Sequence, residues 1–166
     1  PYFDVGYSNE SGLRELIQRA GSTMDQIELD VERTLVDQFL QEVMKSNPKA
    51  TYGELMIRSA LDQGAVSTLL LSESLNQRRT SFYCKDCKEV WEKTKLKTSE
   101  NGKCPVCDSD QVYEDEEKSM DLIDNLSLLA GHTSAQVRLI SLDTEEGETL
   151  SSAFGGIAAL LRYPIS

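Results

Sequence analysis

This 166-residue chain predicts an α/β layered domain interrupted by a small metal-binding insert, and three observations carry that fold class. Ala65 to Leu71 is nearly continuous apolar sequence, and so is Ile157 to Tyr163, the signature of strands buried on both faces. Stretches with helical periodicity alternate with those strands, as layered α/β domains require. All four cysteines fall into two Cys-x-x-Cys turns, Cys84/Cys87 and Cys104/Cys107, in polar, turn-rich sequence that breaks the alternation.

Taken in order, Tyr2, Phe3, Val5 and Tyr7 predict a short strand, and Ser8 to Ala20 a helix with Leu13, Leu16 and Ile17 on one face. A longer amphipathic helix is expected from about Asp25 to Lys45, carrying Leu35, Val36, Phe39, Leu40 and Val43 inward, with Pro48 as its stop. Thr51 with Glu54 reads as a capping box opening the next helix, and Gly64 as its terminator. The Ala65–Leu71 strand follows, then the cysteine segment from after Arg79 to about Tyr113. The acidic run Glu114 to Glu117 leads into a helix expected over about Ser119 to Gly131, with Leu122, Ile123, Leu126 and Leu129 inward. Val137, Leu139 and Ile140 mark a strand. Asp143 and Glu146 make a second capping-box candidate for a helix reaching Phe154, ended by Gly155-Gly156. In the closing strand Ile157, Ala159 and Leu161 share one face, and Ala158, Leu160 and Arg162 the other.

Two Cys-x-x-Cys turns sixteen residues apart supply four soft ligands, the spacing of a closed structural zinc site. A disulfide pair would require an oxidising compartment, and a redox Cys-x-x-Cys is single and opens a helix. An insert of about thirty residues has too little apolar surface to fold alone, so the zinc would hold it together. The expectation is one structural Zn²⁺ on Cys84, Cys87, Cys104 and Cys107.

Net charge is −11, which argues against nucleic-acid binding over the whole surface. From Arg78 to Lys103, however, eight basic residues face four acidic ones. Those lysines either balance the thiolate-rich site or touch a phosphate backbone, and Lys85, Lys88, Lys93, Lys95 and Lys97 are the candidate RNA contacts. No apolar run approaches the ~20 residues of a membrane span. The chain opens on Pro1 rather than Met, so a fragment of a longer protein is expected. Catalytic signatures are thin. His132 is the one histidine, placed at a helix C-terminus where it would serve the dipole, and no phosphate- or dinucleotide-binding glycine loop is present. The residues read as a binding domain, not an enzyme.

The closing stretch Ala153-Phe154-Gly155-Gly156-Ile157 through Leu160-Leu161-Arg162-Tyr163 resembles the end of archaeal and eukaryotic class-1 peptide chain release factors. Tyr2-Phe3-Asp4-Val5-Gly6-Tyr7 is similar to the end of the archaeal factor's central domain. Tyr52-Gly53-Glu54, Gly64-Ala65-Val66, Leu69 to Glu73, Asp143 to Glu148 and the placed cysteine quartet resemble its third domain. Pro164 departs from the basic residues common after the Arg-Tyr pair. The resemblance implies an L30e-like α-β-α layered sandwich with a zinc-binding minidomain. Residues 1–24 would then close the central domain, 25–80 and 114–166 would form the sandwich, and 81–113 the minidomain.

It further implies a cytoplasmic, non-catalytic domain that docks the translational GTPase accompanying the factor and the ABC-type ATPase that recycles ribosomes. Stop-codon reading and the Gly-Gly-Gln hydrolysis loop would lie outside this chain, and Gly155-Gly156, followed by Ile157, is not that loop. Phe154, Gly155, Gly156, Arg162 and Tyr163 are the expected partner-binding residues. A Pelota-like ribosome-rescue factor domain and a free-standing L30e-like or zinc-ribbon RNA-binding module are the alternatives.

Overall fold

The computed structural model describes residues 10–165. The strand expected over Tyr2 to Tyr7 lies outside the described residues. A single helix, α1 (Glu10–Val43), replaces the two helices expected before Pro48. Gly21, Ser22 and Thr23, which lie between those two stretches, are poor helix formers. The two hydroxyls instead fold back onto Arg19 O, at 3.0 Å from Ser22 and 2.9 Å from Thr23, and the helix continues.

Beyond α1 the chain forms β1 (Ala50–Tyr52), α2 (Glu54–Asp62) and β2 (Val66–Ser72), then β3 (Gln77–Cys84), β4 (Val90–Leu96) and β5 (Val112–Asp121). It closes through α3 (Leu122–His132), β6 (Gln136–Ile140), α4 (Glu145–Phe154) and β7 (Ile157–Leu161). The main sheet has the order β1-β7-β2-β6; β2 and β6 are parallel, and β7 runs antiparallel to both β1 and β2. Helices cover both faces. Ile57 and Leu61 of α2 and Leu122 and Leu126 of α3 pack on Leu69, Leu71, Ile157, Ala159 and Leu161. Val36 and Phe39 of α1 and Leu150 of α4 pack on Leu70, Ile140 and Ala158. The alternation along β7 is the one the residues predict, and both of its faces are core. Each fully buried leucine contributes about 1.5–3 kcal/mol, so this two-sided burial holds the sandwich together.

Three local expectations change. Thr51 is in β1, because its segment pairs with β7 (Thr51 opposite Ala159), and α2 starts from Gly53 at φ 82 with no side-chain cap. The cap of α4 is Thr144, one residue later than expected, and its side chain accepts from Gly147 N–H at 3.0 Å. Gly147 must be glycine there, since a Cβ would lie 1.9 Å from Ser141 O. The helix expected from Ser119 begins at Leu122, capped by Asp121, because the acidic run and Ser119 belong to β5.

Gly64 does end α2 as expected: at φ 64 it lets its own N–H reach Leu61 O and Ala65 N–H reach Ala60 O, both at 2.9 Å. Ser134, at φ 54, plays the same part after α3, with Ala135 N–H on Ala130 O at 3.0 Å.

The sequence assigns no strands to the cysteine segment, yet it forms a three-stranded antiparallel sheet, β4-β3-β5. This sheet reaches from Gln77 to Asp121 and so extends beyond residues 81–113. Its two connections to the sandwich lie side by side, Arg78 being paired with Asp121. Such an insertion interrupts the main fold at little cost, because its ends are already close.

Candidate metal centre and docking surface

The two Cys-x-x-Cys turns are built alike. In the first, Lys88 N–H donates to Cys84 O at 3.0 Å and Cys84 N–H donates to Glu89 O at 2.9 Å. In the second, Asp108 N–H donates to Cys104 O at 3.0 Å and Cys104 N–H donates to Ser109 O at 2.9 Å. The residue after each second cysteine has left-handed backbone, φ 65 at Lys88 and 57 at Asp108. Neither is glycine, so each turn accepts roughly 1–2 kcal/mol of backbone strain to curl around its sulfurs. Neither a lysine nor an aspartate at these positions marks the sharp turning in the sequence.

β3 delivers Cys84 and the two turns bring in the rest, so that all four sulfurs lie within 4.8 Å of one another. Cys84 Sγ is 3.6 Å from Cys107 Sγ, and Cys87 Sγ is 3.5 Å from Cys104 Sγ. A tetrahedral ion with ~2.3 Å bonds to sulfur needs edges of about 3.8 Å. A disulfide needs ~2.05 Å. The cluster therefore fits a metal shell and not two disulfides.

Backbone amides favour both thiolates of the first turn, and the neighbouring sulfurs set which ionises first. Cys84 is lowered to about 7, chiefly by the Cys87 amide against the penalty of burial, with the Asp86 amide and the neighbouring thiols assisting. The Glu89 amide favours the Cys87 thiolate, but burial and the sulfurs of Cys104, Cys107 and Cys84 push that group up to about 12. Four thiolates this close ionise together only around a cation. Phe82, Val112 and Trp91 wall the cluster, with Phe82 and Trp91 stacked at 5.7 Å.

The five candidate RNA-contact lysines are not equivalent. Lys95 is drawn into the insert: its Nζ donates to Glu114 and Asn101, each at 2.7 Å, and sits 5.5 Å from the Phe82 ring centroid. Lys97 pairs with Asp121. Lys88 lies 5.7 Å from the Tyr83 ring centroid, while Lys85 and Lys93 are exposed. Glu114 takes Arg78 at 3.0 Å as well as Lys95. Burial raises its carboxyl, but hydrogen bonds from Lys95 and Ser119 and the charges of Lys95 and Arg78 outweigh it and hold the group below its usual 4.5.

Glu54, read from sequence as a capping residue, joins the two sheets' territories. Its Oε1 accepts from Arg58 at 2.8 Å and from Thr94 of β4 at 2.6 Å, with Arg79 of β3 at 3.6 Å. Arg58 goes on to Asn125 of α3 at 2.7 Å.

The expected partner-binding residues lie along α4 and β7. Phe154 packs edge-on against Phe39 and Tyr52, at 4.9 and 5.1 Å. Gly155, at φ 68, is exposed. Gly156 is buried, at φ 75, where a Cβ would press on Ser72 and Leu75. Arg162 and Tyr163 are exposed on one side but bonded on the other. Arg162 donates to Gly64 O at 3.1 Å and to Thr133 O and Ser134 O at 3.1 and 3.2 Å; Tyr163 Oη donates to Gln63 O at 2.7 Å. Both thus close helix C-termini, a role that no short-range sequence signal announces.

A family model described as eRF1 domain 3 matches residues 29–165. The chain belongs to the eRF1 domain 3 family. Peptide chain release factor subunit 1 of Archaeoglobus fulgidus is 42% identical over 161 residues, covering 97% of this chain and 39% of that protein. The Thermoplasma acidophilum protein of the same name is 41% identical, covering 97% and 38%. This eRF1 domain 3 thus spans about two-fifths of the length of these relatives. The solved C-terminal domain of the peptide chain release factor from Methanosarcina mazei superposes with a TM-score of 0.79 at 36% identity, covering 95% of this chain and 98% of that one. Pelota from Archaeoglobus fulgidus, at 22% identity and a TM-score of 0.59 over 99% of this chain and 40% of its own, shares the fold. The domain is the C-terminal domain of a translation termination-type factor, an L30e-like sandwich with a cysteine-bearing insert.

Proposed function

We propose that this domain docks the partners of a class-1 release factor: a translational GTPase of the elongation-factor type and an ABC-type ribosome-recycling ATPase. It does so as a non-catalytic, cytoplasmic module carrying one structural Zn²⁺. The observation that carries this reading is the similarity to release-factor C-terminal domains along nearly the whole chain, in sequence and in structure. The fold is shared with archaeal Pelota seen bound to the ribosome with ABCE1, which motivates the ATPase partner. The rescue-factor alternative rests on fold alone, since Pelota proteins match at 22% identity.

Cys84, Cys87, Cys104 and Cys107 would hold the zinc, which closes the insert and leaves no open position for substrate. The docking face takes in Phe154 and Gly155 before the buried strand β7 and Arg162 and Tyr163 after it, where the aromatic and arginine side chains are of the types enriched in binding hot spots. Residues 1–24 belong with the preceding domain in this reading. Lys85, Lys88 and Lys93 are the lysines left for phosphate contact.

Immobilised domain should retain a purified archaeal elongation-factor-type GTPase and, separately, the recycling ATPase. Retention of neither at micromolar concentrations overturns the docking reading. Binding of ribosomal RNA that persists without either partner would favour the free-standing RNA-binding alternative.

A further inference from the structure

Strand β6 ends one side of the main sheet, and its outer side is open. The other edge strands are blunted: β1 has three residues, β4 carries Glu92, Lys93 and Lys95, and β5 is acidic and slips register against β3. β6 reads Gln136-Val137-Arg138-Leu139-Ile140, with a single charge. Ile140 O accepts from Glu73 N–H at 3.1 Å, so Ile140 turns its backbone groups toward β2, as do Arg138 and Gln136. Val137 and Leu139 therefore aim theirs away from the sheet. Ser141 N–H, next in that outward row, is taken by Glu32 Oε2 at 2.9 Å. No strand among the described residues meets the two before it.

Beside that edge, Glu28, Val31 and Glu32 of α1, with Glu73 and Ser141, line a groove of about 380 Å³ along Val137, Arg138 and Leu139. Its three carboxylates form no ion pair among the described residues. Glu32 accepts from Ser141 N–H, and Glu73 from Ser141 Oγ and Leu142 N–H, all neutral donors. Arg33, further along the helix, turns to Asp30 and Glu146 instead. Arg138 is the one basic side chain lining the groove, so three carboxylates exceed the bases by two. Apolar surface flanks the same edge. Val137 packs with the core beneath α2 and α3, and Leu139, on the same face by alternation, is 52% exposed.

We propose that the free edge of β6 takes up, as a fifth strand of the main sheet, an extended segment of a partner protein in which basic and apolar residues alternate. The outward backbone groups of Val137 and Leu139 supply the ladder. Successive side chains of an added strand point to opposite faces. One set enters the groove beside Glu28, Glu32 and Glu73, which calls for lysine or arginine. The other set lies beside Val137 and Leu139, which calls for valine, isoleucine or leucine. An acidic segment would set carboxylates on carboxylates, and one with its cations grouped would lay some of them over Leu139. β6 stands at the opposite edge from β1, where Tyr52 meets Phe154, and the contact does not depend on the partners proposed above.

A capped hexapeptide alternating lysine and valine, titrated into the full isotope-labelled chain and followed by amide NMR, tests this. Binding with Kd on the order of 100 μM is expected, since the contact is well below a standard interface. The amides of Val137 and Leu139 should shift and become protected from exchange. The same residues with the lysines grouped, or glutamate in place of lysine, should bind at least about tenfold more weakly. Glu28→Lys should weaken binding roughly twofold to fivefold. Leu139→Pro, which deletes an outward N–H and no bond to β2, should weaken it about fivefold. Unchanged protection of β2 and β7 shows that a variant is folded, and if Leu139→Pro unfolds, Glu28→Lys and the protection of the two amides still decide. No shift with the alternating peptide well above that Kd overturns the proposal. Equal binding of the grouped peptide, or shifts that spare β6, overturn it too. Protection of Val137 and Leu139 that grows with the chain's own concentration, without peptide, would place a second copy on the edge and likewise overturns it.

Discussion

Arg162 stands where two helices end. Its guanidinium reaches carbonyls after α2 and after α3, at the negative end of both macrodipoles, and Tyr163 adds a bond to Gln63 O. Arg162→Ala should therefore destabilise the sandwich by about 1–2 kcal/mol, because the site is exposed on one side. Urea unfolding followed by circular dichroism measures it. Partner binding lost with stability unchanged would leave docking as its main role and remove the capping account. Glu114 makes a second residue-scale prediction. Its folded pKa is depressed, so the stability it adds is complete above the ordinary carboxyl value of 4.5 and is lost as pH falls through the lower folded value. The stability difference between the native chain and Glu114→Gln should shrink below pH 4.5 and hold steady above it. A difference that grows on acidification would reverse the sign and refute the account.

At the scale of elements, the insert is expected to depend on a bound ion and the sandwich to stand without one. The insert's apolar cluster is small, chiefly Phe82, Val112 and Trp91 beside the cysteines, whereas both faces of the main sheet are lined with leucine, isoleucine and valine. Four thiolates around zinc bind with an apparent ~10–16 kcal/mol near neutral pH. Chelation, or Cys84→Ser, should release one equivalent of zinc and expose amides of β3, β4 and β5 to hydrogen exchange while those of β2 and β7 stay protected. Collapse of all strands together would show that the insert is integral to the sandwich. The junction is Glu54. Glu54→Ala removes an acceptor from Arg58 and from Thr94 and should increase exchange in β4 before any loss of the sandwich, at a cost of about 1 kcal/mol, since Arg58 keeps Asn125 and Thr94 keeps Arg79.

The whole molecule is an acidic sandwich bearing a cysteine-stapled appendage in which basic and acidic residues nearly balance. No helix among the described residues is long and apolar enough to cross a membrane. His132, in the last turn of α3, is exposed, and the four cysteines are committed to one cluster. The chain by itself should therefore release no peptide from stalled ribosomes, and His132→Ala should leave partner retention unchanged. Peptide release by the isolated chain, measured on programmed ribosomes, would contradict the assignment of hydrolysis to a loop elsewhere.

Strand β2, strand β7, the stop at Gly64 and the four-cysteine site were legible in the residues, because each depends on local pattern: continuous apolar runs, a glycine required at positive φ, and thiol spacing. The inner positions of β7 were legible for the same reason. Sequence did not reveal β1, β3, β4 or β5. Ala50–Tyr52 is a strand because β7 runs beside it, and the acidic Glu114–Glu117 run is extended because β3 pairs with part of it and Arg78 and Lys95 meet Glu114. Tertiary partners likewise decided that Glu54 anchors the insert and that Arg162 closes two helices ninety-eight and about thirty residues back in the chain. Local periodicity and thiol spacing act within a few residues, so the sequence alone determined the layered class and the four-cysteine cluster. Strand pairing and charge partnership act across distant segments, and only the folded chain brings those together.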